Sequence, residues 1–223
     1  YSKKLNKNII VMAKSTSFRR NLIDLIKTAH QWEYTEINDT KESLKKKKPI
    51  LFFTKVQVIL IVIAMALSII CKSGINAEFA GYIISALSLF VGLLFTLVVS
   101  IFDKFSQTDV TKYKFAINCD LYPIGVTLKN IYKKTIVLTL YTSIIAIVCI
   151  SALTIVILFP EFHMQIDFCD LIANAESRYL KIFILLYRTV LFYFLLNFVY
   201  ITLLLITSFF DYMVGKIDQI KLK

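Results

Sequence analysis

Phe79–Phe102 reads FAGYIISALSLFVGLLFTLVVSIF, 24 residues without a single charge. As a helix rising 1.5 Å per residue it reaches about 36 Å, more than the ~30 Å of a bilayer's hydrocarbon layer. Three further apolar runs accompany it: Ile50–Cys71, Thr135–Phe159 and Lys181–Phe210. The runs are continuous rather than alternating, which argues against a membrane β-barrel. Lipid leaves a backbone no outside hydrogen-bond partner, so the expected spanning unit is the helix. The predicted class is all-α, a four-transmembrane-helix membrane protein with short amphipathic cytoplasmic helices.

The rest of the composition agrees. Hydrophobic residues make up 57% of the 223, with only 5 Gly and 3 Pro to break long helices. The polar stretches are too short for an ordinary enzyme domain. No nucleophile elbow, phosphate-binding glycine loop or HExxH pattern occurs. The expected protein is therefore not an enzyme and has no cofactor and no metal. His163 and Asp167, four residues apart, are weak metal ligands on their own.

Charge sets the predicted topology. Outside the runs, 21 Lys and Arg fall in 1–49, 103–134 and 211–223, against 2 in 72–78 and 160–180. The positive-inside rule puts both termini and the middle loop in the cytoplasm. The predicted organisation is a basic cytoplasmic region 1–49, a membrane domain 50–210 with cytoplasmic loop 103–134, and a tail 211–223. Its spans are about 50–71, 79–102, 135–159 and 189–209. The short loop 72–78 predicts that the first two spans pair as an antiparallel hairpin. Asp120–Gly125, with Pro123, reads as the turn before the third span. Ser177–Arg188 reads as a separate interfacial helix that leaves Arg188 near the outer boundary.

Within 1–49, Phe18, Leu22, Leu25, Ile26, Ala29 and Trp32 make an apolar stripe at helical spacing, with Ser17 as N-cap. Lys45, Lys46, Lys47 and Lys48 stand just before the first span, where anionic lipid is the simplest partner. Together with Arg19 and Arg20 they are also candidate contacts for an acidic ligand: a nucleotide, an oligonucleotide or an acidic partner protein. Lys55 is expected to snorkel and Gln57 to face another helix.

Small and polar residues mark the spans. Ser88, Gly92, Thr96 and Ser100 recur every four residues on the second span, with Gly81 and Ser85 on a neighbouring stripe and Asp103 at the inner end. This spacing permits close helix contact, and it can also line a pore. Thr135, Thr139, Thr142, Ala146 and Cys149 form a similar stripe on the third span. Asn197, flanked on its face by Tyr193 and Tyr200, is expected to hydrogen-bond across helices. The outer loop carries Glu161, Asp167, Asp170 and Glu176 against Arg178, an acidic mouth that would concentrate cations. Cys71 and Cys169 share the outer side and are either paired or free.

A short basic cytoplasmic region with an amphipathic helix, hairpin-paired spans and no enzymatic domain resemble the small multi-spanning, pore-forming effectors of bacterial anti-phage and nucleotide-signalling systems. The resemblance rests on architecture across the chain and transfers no residue roles. It implies a homo-oligomeric channel in a bacterial inner membrane, gated from the cytoplasmic face. The competing expectation is a non-conducting scaffold or subunit that recruits a cytoplasmic partner.

Overall fold

The computed structural model describes residues 18–35, 53–71, 74–107, 122–163 and 175–221. Within them every regular element is helical: α1 (Phe18–Tyr34), α2 (Lys55–Ile70), α3 (Ala77–Ser106), α4 (Tyr122–Leu158) and α5 (Ala175–Lys221), with a 3₁₀ turn at Pro160–His163. Three apolar segments are long enough to cross a membrane: Ala77–Ser106, Gly125–Leu158 and Tyr179–Phe210. The chain has the build of a multi-pass integral membrane protein.

The first apolar run behaves differently from the other three. Its helix starts only at Lys55 and ends at Ile70, 16 residues or about 24 Å. The start is set by a capping box. The Thr54 side chain accepts from the Gln57 backbone N–H at 3.3 Å, and Gln57 Oε1 accepts from the Thr54 N–H at 3.2 Å. These bonds satisfy two donors that a helix start would otherwise leave open. Pro49 and the lysine run lie outside the described residues.

Local chemistry sets the other ends. Asn76 caps α3 by accepting from the Phe79 N–H at 2.7 Å, with Glu78 in the first turn and Lys104 in the last, each at the end its charge favours. Residues Tyr122–Gly125 are helical, so the expected turn does not include them. Pro123 sits in the first turn of α4, where its missing N–H costs nothing. α4 stops before Pro160, which restrains the residue ahead of it to extended geometry.

α5 also departs from expectation. It runs unbroken for 47 residues, so Ser177–Arg188 is no separate interfacial helix. Nothing between Ala175 and Thr189 is a glycine or proline that would end it. On α1 the stripe is only partly used. Ala29 is fully buried and Trp32 packs on the core, whereas Phe18 is 80% exposed.

The packing order is α3, α4, α5, α2, with α1 lying against α4. α2 and α3 follow one another in the chain, yet α2 packs on α5 and α3 on α4. They do not form the expected closed hairpin. α3 is attached along one seam, Ala80, Leu87, Leu94 and Ile101, which recurs every seven residues. The facing core is Leu138, Ile145, Leu153 and Val156 of α4 with Leu191, Ile201 and Leu205 of α5. Apolar lipid gives these helices no hydrophobic reason to associate, so close packing and interhelical hydrogen bonds must hold them.

Candidate functional sites: an outward polar stripe and a buried polar cluster

The stripe on α3 faces away from its own bundle. Ser88, Gly92, Thr96 and Ser100 are exposed, and a Cβ added to Gly81 or Gly92 would meet no atom within 4 Å. Three hydroxyls of α3 turn back to their own helix: Ser85 donates to the Gly81 carbonyl, Thr96 to Gly92 and Ser100 to Thr96, each at 3.0 Å. A hydroxyl held this way keeps acceptor capacity on its outer side. Asp103 is exposed at the same end. Ser100 also lines a cleft of about 90 Å³ with Leu97, Lys104, Thr135 and Phe209, between α3, α4 and α5.

The stripe on α4 is the opposite. Thr135, Thr139, Thr142, Ala146 and Cys149 are all buried inside the bundle. Thr139 donates to the Thr135 carbonyl at 2.7 Å and Thr142 to Leu138 at 2.8 Å. Thr135 Oγ1 also lies 3.3 Å from Ser208 Oγ on α5. This stripe ties helices together within one chain.

A second polar group gathers where α1 meets the bundle. The Glu33 side chain is 0% exposed. Gln57 Nε2 donates to Glu33 Oε2 at 2.8 Å, and His30 Nδ1 sits 3.4 Å from that amide nitrogen and 3.7 Å from the same carboxylate oxygen. Tyr141, Tyr193 and Tyr200 all lie within electrostatic reach of Glu33. Asn197, 2% exposed, stands beside the Tyr141 hydroxyl between α5 and α4. Two acceptor oxygens, Glu33 Oε1 and Asn197 Oδ1, have no hydrogen-bond partner among the described residues. Burial pushes the Glu33 carboxyl up from its ordinary 4.5 to about 7, because the charged form has lost its water.

At the end of the bundle where Gly74 lies, Arg188 is 3% exposed and its Nη2 donates to the Phe162 carbonyl at 2.8 Å. Its guanidinium lies against Gly74, whose φ of +69° no side chain adopts easily. Tyr187 donates to the Ala152 carbonyl at 2.6 Å beside it. Glu161 is exposed nearby. Asp167, Asp170 and the Glu176 side chain lie outside the described residues, as do Lys45–Lys48 and Cys169. Cys71 is a half-buried free thiol, and no metal-holding group of His, Cys, Asp or Glu occurs among the described residues. Arg19 and Arg20 are exposed on the first turn of α1, well away from the buried cluster.

Glu33 and His30 escaped the sequence reading. A Glu at the end of an amphipathic helix looks like a solvated residue. The available signal was Gln57, an unmatched amide in an apolar run, which needed a polar partner from somewhere.

Compared with family models, curated proteins and solved structures, the chain matches none.

Proposed function

We propose that this chain is the repeating unit of a homo-oligomeric, ion-conducting membrane pore lined by α3. One observation carries the reading: Ser88, Gly92 and Thr96 of the polar stripe point out of the bundle that α3 belongs to, with Ser100 at the rim of the cleft between α3, α4 and α5. Hydroxyls and a bare glycine facing lipid gain nothing there. Between copies, the glycine permits close approach and the hydroxyls face a shared, wettable space. The other polar stripe is consumed in packing within one chain, so a path inside a single copy has no lining. Exposed Asp103 stands at one mouth and Glu161 near the other, which favours cations. On the topology read from the basic loops, α1 is cytoplasmic and controls the inner end.

The resemblance to bacterial defence effectors extends this to a pore whose opening harms the cell that makes it. Arg19 and Arg20 remain open to an acidic ligand. The exposed Phe18 beside them favours a second reading, a membrane scaffold whose α1 recruits a cytoplasmic protein.

The test is conduction by the purified protein in planar bilayers under a salt gradient. Discrete cation-selective openings are expected, with Ser88→Cys adding a block by thiol reagents that leaves the wild type untouched. A protein that is oligomeric in lipid but electrically silent sinks the pore reading and leaves the scaffold.

A further inference from the structure

We propose that Glu33 is a proton-binding latch: α1 stays docked in the membrane bundle while Glu33 carries a proton, and withdraws when that proton leaves to water. This holds whether or not an assembly of the chain conducts.

Glu33 belongs to an amphipathic helix outside the apolar spans, yet its side chain is completely enclosed. It is enclosed by membrane helices rather than by a soluble core. Ala29, four residues earlier, is fully buried, and Trp32, next to it, packs on the hydrophobic core. α1 therefore enters the bundle by its last turns and leaves its first turn in the open. The carboxyl is the most polar thing it brings in.

Among the described residues that carboxyl is poorly provided for as an anion. A buried carboxylate normally needs a cationic partner or several donors. From α2 it receives one neutral amide hydrogen bond, from Gln57. From α4 and α5 the groups within reach are phenols: Tyr141, Tyr193 and Tyr200. From its own helix the titratable neighbours are His30, 3.7 Å away, and Tyr34, whose ring meets the His30 ring edge-on. Lys55, two residues before Gln57, is exposed. Glu33 Oε1 has no partner among the described residues. One proton brings the Glu33–His30 pair to zero net charge whichever member holds it. Losing it leaves a buried negative charge.

The sign follows. The docked carboxyl titrates at about 7, and in water it would titrate at its ordinary 4.5. The raised value means docking is fully supported below about pH 4.5 and loses that support as pH climbs to about 7. The docking constant falls by up to tenfold per pH unit over this window, about 300-fold in all. The shift agrees with the geometry and supplies the scale.

The protein carries its own reporter, because Trp32 is its only tryptophan. The experiment is Trp32 emission and acrylamide quenching of the full chain in neutral-lipid nanodiscs from pH 5 to pH 9. The expected result is a protected, blue-shifted Trp32 at pH 5 that becomes quenchable as pH rises, with a slope of one proton. Glu33→Gln, a neutral isostere, should keep Trp32 protected throughout, with helicity unchanged. A wild-type signal that stays flat, or that becomes exposed on acidification, overturns the latch; so does Glu33→Gln following the wild-type curve. The wild-type titration stands by itself if Glu33→Gln does not fold. Gln57→Leu then gives the second check: losing the donor to Glu33 Oε2 weakens docking and should move the Trp32 midpoint to lower pH, and an unmoved midpoint excludes Glu33.

Discussion

The Arg188 guanidinium lies so close over Gly74 that a Cβ on that glycine would overlap it. The positive φ of Gly74 lets the chain ahead of α3 turn across α5 at Arg188, and the Phe162 carbonyl fixes the guanidinium from the other side. One side chain thus holds three separate parts of the chain. Gly74→Ala should cost about 2–4 kcal/mol, combining backbone strain with a displaced buried cation. Thermal unfolding in detergent measures this. The double variant with Arg188→Ala should lose less than the two single losses added, since both remove the same contact.

Gly92→Leu should leave the isolated subunit as stable as before, because the new side chain points into open space. It should nevertheless abolish or alter self-association if α3 is the contact helix. Unfolding temperature and oligomer size in lipid are read on the same sample. An unchanged oligomer removes α3 from the interface.

Thr142→Val should change stability by under about 1 kcal/mol, since the lost hydroxyl bonds only its own helix backbone. It should leave any conductance untouched, whereas Ser88→Val should reduce it. Equal effects from both would overturn the assignment of lining to α3 alone.

Asn197→Leu takes the amide away from the Tyr141 hydroxyl but also removes the partnerless Oδ1. The two effects oppose, and a net loss of about 0.5–1.5 kcal/mol is expected. Asn197→Asp should be far worse, because it places a second carboxyl beside Tyr141, already within reach of Glu33. Denaturation midpoints in detergent separate the two variants.

Opposite sides of the membrane should be readable by labelling. In a cysteine-free background, Lys104→Cys should react with an impermeant thiol reagent only from the cytoplasm and Glu161→Cys only from outside. Reaction of both from one side would reject the topology read from the basic loops.

The long apolar helices were legible because hydropathy is a local property that needs no partner. Their choice of partner was not: apolar surface is non-directional, so nothing in Lys55–Ile70 says that it will lie on α5 rather than on α3. The outward stripe was legible as a stripe, but its direction depends on the seam Ala80, Leu87, Leu94, Ile101, whose residues resemble their exposed neighbours. α1 was legible from spacing, yet its burial runs from Ala29 onward and not from Phe18. Glu33 was hidden because its meaning comes from Gln57, 24 residues later.

The order α3, α4, α5, α2 has two ends, and they are unlike. One end offers the exposed Leu89 and Leu93 of α3 beside the stripe; the other offers the bulky Val58, Ile59 and Val62 of α2. A twofold pair of α3 faces would leave both α2 ends uncovered. Repeating the subunit head to tail covers each end with the other, and such a chain of contacts closes into a ring only when the rotation per copy divides a full turn. For the proposed pore, cyclic symmetry then follows from the sidedness of a single subunit, and the number of copies is set by the angle at which the edge of α2 meets α3.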